Sequence, residues 1–121
     1  MGPPILVVED NEKNRVLVKD VLCYFGYEVL EATDGLEGIA MALEHRPGLI
    51  LMDLQMPVLS GLDAMKQLKE HPETKGIKII AVTSFAMKGD REKLLDAGFD
   101  GYIAKPLDPI ELPEIVKKYL S

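Results

Sequence analysis

Tryptophan is absent from the 121 residues, and cysteine occurs once, at Cys23, so an internal disulfide is excluded. Long apolar runs are also missing. Ile5 to Val8 and Leu49 to Met52 fall far short of the roughly 20 residues that a membrane span requires. The N-terminus has no charged segment followed by a long apolar one, so no secretory signal is expected and the chain reads as soluble and cytosolic. Basic residues are outnumbered 14 to 20, for a net charge of -6, and they form no stripe. Direct binding to nucleic acid needs a row of Lys or Arg set against phosphates, and that function class is excluded. The two histidines, His45 and His71, lie close to prolines in polar surroundings and read as surface residues, neither phosphodonors nor ligands.

What remains is an ordinary globular composition, 47% hydrophobic and 28% charged. It is enough for one core, and the length suits a single domain over residues 1–121 with no room for a second module. Ile5 to Val8 is a continuous aliphatic run that stops at Glu9-Asp10-Asn11, the pattern of a strand buried on both faces. Leu17, Val18, Val21, Leu22 and Phe25 then recur at helical spacing from about Asn11 to Phe25, with Gly26 as the cap. Tyr27 to Ala32 alternates like a less buried, edge strand. Asp34 caps a second helix with Leu36, Ile39, Ala40 and Leu43 on one face, ended by Pro47.

Leu49 to Met52 is a second fully apolar run, and it ends in Asp53. A helix from about Ser60 to Glu70 follows, with Leu62, Met65 and Leu68 inward, then a strand from Ile77 to Val82 ending at Thr83-Ser84. A fourth helix is expected between Met87 and Ala97, a short strand at Gly101 to Ala104 ending at Lys105-Pro106, and a closing helix capped by Asp108 with Pro109 in its first turn. Pro113 conflicts with that last assignment, because a proline five residues into a helix lacks a needed N–H. Either the first turn is distorted or the regular helix starts near Leu112. Strands and helices alternate in units of about 20 to 25 residues, which predicts an α/β fold with a parallel, doubly wound five-stranded sheet. In such sheets the chemistry gathers outside the carboxyl ends of the strands.

Those ends carry Glu9, Asp10, Asp53, Thr83 and Lys105. Three carboxylates at one rim repel one another unless a hard divalent cation such as Mg2+ lies among them. A carboxylate can attack phosphorus to give an aspartyl phosphate, with Mg2+, Lys105 and backbone N–H groups neutralising charge. Asp53 is the natural nucleophile, since it stands alone at its strand end while Glu9 and Asp10 are paired. Each residue taken singly has a plainer reading: Thr83 as a strand terminator, Lys105 as a solvated charge, Tyr102 as a half-buried strand aromatic, Cys23 as a small packed side chain. Their coincidence at one rim reverses that weighting for Thr83 and Lys105.

Glu9-Asp10, Asp53 with Met56-Pro57 and Gly61, Thr83-Ser84 and Lys105-Pro106, in that order, resemble the receiver domain of two-component response regulators. The resemblance spans Ile5 to Leu120 and implies a flavodoxin-like (βα)5 fold with strand order 2-1-3-4-5. It implies Asp53 as phosphoacceptor, and Mg2+ held by Asp10 and Asp53, by Glu9 through water and by the backbone carbonyl of Gln55. Lys105 would pair first with Asp53 and then with a phosphoryl oxygen, Thr83 would bind another such oxygen, and the Lys105-Pro106 bond would be cis. Tyr102 takes the place of the switch aromatic. The donor would be a sensor histidine kinase or a histidine phosphotransfer protein, and output would pass to a downstream protein through helix 4, strand 5 and helix 5. The stretch Thr83 to Asp90 is similar to that of single-domain cell-cycle regulators of the DivK type, and Phe85 there is expected to slow attack by water on the acyl phosphate. A Mg2+-dependent, haloacid-dehalogenase-like phosphatase is the alternative, but its Asp-x-Asp motif is not matched by Glu9-Asp10-Asn11. A flavin binder would need a phosphate loop after the first strand, and none is present.

Overall fold

The computed structural model describes residues 2–84 and 90–120. Within them the chain alternates β1 (Ile5–Val8), α1 (Glu12–Tyr24), β2 (Val29–Ala32), α2 (Gly35–His45), β3 (Leu49–Asp53), α3 (Gly61–Glu70), β4 (Lys78–Thr83), α4 (Asp90–Ala97), β5 (Gly101–Ala104) and α5 (Glu111–Leu120). All four strand pairings are parallel, in the order β2-β1-β3-β4-β5. The expected architecture and strand order are both found. β1 and β3 are buried along their whole length, which explains why they read as unbroken apolar runs.

Side-chain alternation along the strands builds two cores. Leu6, Val8, Ile50, Met52, Ile79 and Ala81 face α2 and α3, with Leu94 of α4 packed at the margin. On the other face Ile5, Val7, Leu49, Leu51, Ile80 and Val82 pack against Val18 and Leu22 of α1 and Leu112 and Val116 of α5. Burial of these aliphatic side chains, at about 1.5 to 3 kcal/mol each, fixes the register. That register brings the carboxyl ends of β1, β3, β4 and β5 to one rim, with Val8 beside Met52, Asp53 beside Val82 and Thr83 beside Ala104.

Several local expectations are corrected. The second helix buries Gly35, Gly38 and Ala42, while Leu36 is exposed and Ala40 faces outward. α2 lies so close to the sheet that a Cβ at Gly38 would come 2.9 Å from a Val8 methyl, and small residues form its contact stripe. In α1, Leu17 and Phe25 lie on the exposed side, and only Val18 and Leu22 are fully buried. α2 stops one residue earlier than Pro47 requires, with Arg46 as a left-handed cap at φ 45°. The two strands expected at Tyr27 and Ile77 begin at Val29 and Lys78. Residues 85–89, including Phe85 and the expected helix start at Met87, lie outside the described residues.

The proline conflict resolves simply. Asp108 accepts the Ile110 N–H on its side chain at 2.8 Å and the Leu112 N–H on its carbonyl at 2.9 Å, so Pro109 and Ile110 form a turn and the helix starts at Glu111. Pro113 is then the third helical residue, where the missing N–H has no intrahelical acceptor to lose.

Candidate functional site

Each rim residue owes its position to the end of a strand. Glu9 extends β1 by one residue, and its N–H still bonds the Ala32 carbonyl of β2 at 3.0 Å. Asp53 is the last residue of β3, Thr83 the last of β4, and Lys105 follows β5. Glu9 and Asp53 are each 4% exposed and Thr83 1%, whereas Asp10 is open to solvent. Carboxylate oxygens of Glu9, Asp10 and Asp53 lie within 4.8 Å of one another, so the three acids are brought together as the sequence predicts.

Lys105 reaches into this cluster from β5 with only 16% of its side chain exposed. Its Nζ is 2.8 Å from Glu9 Oε1 and 3.3 Å from Asp53 Oδ1. The expected pairing with Asp53 is present, but Glu9 is the nearer partner. Glutamate at this position is long enough to reach across to β5. The Asn11 N–H also bonds Glu9 Oε2 at 3.2 Å, and the Gln55 N–H bonds Asp53 Oδ1 at 3.3 Å. The Lys105-Pro106 bond is cis, and the Lys105 N–H bonds the Thr83 carbonyl at 2.8 Å.

Charge explains the protonation behaviour. Burial pushes the Glu9 carboxyl above its ordinary value, helped by the neighbouring Asp53 carboxyl, with which it can share a proton; bonds from Lys105 and Asn11 pull the other way without cancelling the rise. Burial alone would lower Lys105, but the hydrogen bond and charge of Glu9, then of Asp53, outweigh it and hold the ammonium above its ordinary value. Three carboxylates facing one ammonium leave an excess of negative charge, and the donors are all hard oxygens. That is the donor set a magnesium ion accepts.

Tyr102 lies three residues before Lys105 on β5, partly buried, with the Arg91 guanidinium of α4 5.9 Å from its ring centroid. It borders a cavity of about 370 Å³ that Pro106, Leu112, Ile115 and Tyr119 also line, between α4 and α5.

Two features of the rim were not read from the sequence. One is Arg15, whose Nη1 bonds the Glu9 carbonyl at 3.1 Å. The other is Val58, at φ 71° and 73% exposed in the loop between β3 and α3, where the Leu59 N–H closes a three-residue turn on the Pro57 carbonyl at 2.8 Å. A β-branched residue in that left-handed region is strained. Val58→Asn keeps the turn with a residue that tolerates it, and unfolding in urea should show a gain of about 1 kcal/mol. An unchanged midpoint would mean that the turn holds no strain.

The chain has counterparts among known proteins. A family model described as response regulator receiver domain matches residues 5–117. The polar-differentiation response regulator DivK of Brucella anthropi is 46% identical over 121 residues, covering all of this chain and 98% of that protein, and its counterpart in Brucella ovis is 45% identical with the same coverage. Among solved structures, chemotaxis response regulator CheY4 of Vibrio cholerae superposes with a TM-score of 0.92 at 28% identity, covering 99% of this chain and 100% of that one. The receiver domain of sensor histidine kinase PA1611 from Pseudomonas aeruginosa, whose active site cleft coordinates a magnesium ion, has a TM-score of 0.89 at 37% identity, covering 99% and 98%. Nothing in these matches supports the phosphatase alternative. Among the described residues no helix is long and apolar enough to cross a membrane. The order of acids, hydroxyl and lysine along the strand ends and the match over nearly the whole length agree, and the chain belongs to the response regulator receiver domains of two-component signalling.

Proposed function

We propose that this chain is a phosphorylation-controlled switch in which Asp53 accepts a phosphoryl group from phosphohistidine on a sensor kinase or phosphotransfer protein. The observation that carries this reading is the placement of Asp53 Oδ1 3.3 Å from Lys105 Nζ within a cluster of three carboxylates. An Asp53 oxygen forms the bond to phosphorus as the phosphorus–nitrogen bond breaks and the imidazole leaves with that electron pair. Lys105 then turns from Asp53 to a phosphoryl oxygen, the Thr83 hydroxyl takes another, and the Gln55 N–H steadies the carboxylate. Glu9, Asp10, Asp53 and the Gln55 carbonyl are the groups that would hold Mg2+; the magnesium ion in the active site cleft of the Pseudomonas receiver domain supports this assignment. When bound, the ion supplies charge neutralisation for the incoming phosphoryl group.

The switch follows from the added charge of about -1.5 to -2. Thr83 moves toward the phosphoryl group, the Tyr102 ring takes the vacated space, and the surface made by α4, β5 and α5 changes its affinity for a downstream protein. The departure of Tyr102 from beneath Arg91 would reshape the cavity between α4 and α5.

The test is intact-mass measurement after incubation with acetyl phosphate and Mg2+. The parent gains one phosphoryl group, and Asp53→Asn gains none. Uptake by the variant at the parental level would move the acceptor elsewhere. Multiple turnover of phosphate esters would instead indicate an enzyme.

A further inference from the structure

The β1 rim is also held by a group that is not itself a member of the carboxylate and lysine cluster. The Glu9 N–H is held by β2 through Ala32 at 3.0 Å, but the last ladder pair on β1 is Val8, so the Glu9 carbonyl lies beyond the sheet. Arg15, in the first half of α1, folds back to it: Nη1 donates to that carbonyl at 3.1 Å. Its Nε lies 3.4 Å from Glu31 Oε1 on β2, and Lys19 Nζ lies 3.4 Å from Glu31 Oε2. The Arg15 side chain is 16% exposed. The guanidinium fork thus clamps the Glu9–Asp10 peptide plane to β2, and that plane sets the direction in which Asp10 leaves the backbone.

We propose that Arg15, oriented by Glu31, is a positioning residue for the Glu9–Asp10 metal-binding rim, so that its loss weakens Mg2+ binding without altering the phosphoryl chemistry. The inference rests on the reading of the rim as a Mg2+-dependent phosphoacceptor site. A ligand needs its oxygens presented in a near-octahedral geometry, and groups that orient ligands are worth about 10- to 100-fold in metal affinity when removed. Water can satisfy the released carbonyl of Glu9, so the stability cost is that of one partly exposed bond and ion pair.

The sign of the effect separates positioning from plain electrostatics. A guanidinium acting through charge alone repels a divalent cation, so Arg15→Ala would tighten Mg2+ binding and Glu31→Gln would weaken it. A clamp predicts weakening in both. Arg15→Lys keeps the charge but loses the fork, and it should also weaken binding.

The experiment is calorimetric titration of the full chain with MgCl2, beside the rate of phosphoryl uptake from acetyl phosphate as Mg2+ is varied. The Mg2+ dissociation constant should rise about tenfold in Arg15→Ala and Arg15→Lys, and less in Glu31→Gln. The double variant Arg15→Ala, Glu31→Gln should be no worse than Arg15→Ala, because the two act through one contact. The half-saturating Mg2+ for uptake should rise in parallel, and the rate at saturating Mg2+ should match the parent. Unchanged or tighter binding in Arg15→Ala overturns the proposal, as does a lower saturating rate at unchanged half-saturation. Absence of any Mg2+ response in the parent overturns instead the phosphoacceptor reading beneath it.

Discussion

Lys105→Met should be destabilised by an amount that grows with pH and should take up phosphoryl groups about 100-fold more slowly. The variant leaves Glu9 and Asp53 facing each other, both nearly buried, without the ammonium that lies 2.8 Å and 3.3 Å from them. Breaking such a pair costs about 3 to 5 kcal/mol when the remaining charge stays ionised. Here Glu9 has an escape, because it can hold a proton and donate it to Asp53. Keeping that proton costs about 1.4 kcal/mol for each pH unit above the ordinary value of 4.5. The penalty is therefore capped at about 3 kcal/mol at pH 7 and falls below about 1 kcal/mol at pH 5.

The sign follows from both groups. Lys105 is raised in the folded state, so its pairing contributes in full below its ordinary value of 10.5 and is lost only as pH rises through the raised value. Glu9 is also raised, so the folded state binds its proton more tightly, and that contribution is lost as pH climbs above 4.5 through the raised value. Removing Lys105 removes one of the two bonds that pulled Glu9 down, which carries the loss to higher pH. Urea unfolding of parent and variant at pH 5 and pH 8 measures the difference. An equal cost at both values would mean that Lys105 acts through its packed methylene stem and not its charge.

The strand ends were legible because burial and function use different residue types there: an aliphatic run must stop where the chain meets solvent, and the first polar residue after it is marked. Glu9, Asp53, Thr83 and Lys105 could be placed at one rim in this way, since the parallel register follows from the two-faced burial of β1 and β3. Contacts across the rim were less legible. The closer approach of Lys105 to Glu9 than to Asp53 depends on one methylene of side-chain length, and Arg15 leaves no signal in the sequence because its partners are a main-chain carbonyl and an acid on a different element. The buried face of α2 was misjudged for a related reason. Hydropathy favours Leu36 and Leu43 at the core, but the separation of helix and sheet is set by the closest pair, Gly38 against Val8, and that distance has no trace in a single sequence.

Gly61→Ala should be the most damaging Gly→Ala change among the described residues for both stability and phosphoryl uptake. Gly61 is the first residue of α3, and its N–H closes the loop that follows Asp53 on the Leu54 carbonyl at 3.1 Å. A Cβ there would overlap the Asp53 carbonyl oxygen and stand 2.9 Å from both the Asp53 carbonyl carbon and the Leu54 Cα. These are backbone atoms, so no side chain can swing aside; either α3 moves outward or the Asp53 peptide shifts. Overpacking of this kind costs about 3 kcal/mol, which lowers Tm by about 10 °C in a domain of this size. The shift also reaches Asp53, the proposed acceptor, directly, and a displacement of about 1 Å in a reacting group costs about 100-fold in rate. Gly76→Ala is the matched control, because a Cβ at Gly76 meets nothing within 4 Å and its backbone needs no left-handed conformation. That control should be unchanged or more stable by about 0.4 to 1 kcal/mol, through the unfolded chain. Thermal unfolding and acetyl phosphate uptake of the two variants together decide the matter: a Gly61→Ala protein with parental Tm and parental uptake would mean that the loop after Asp53 is not closed against the start of α3.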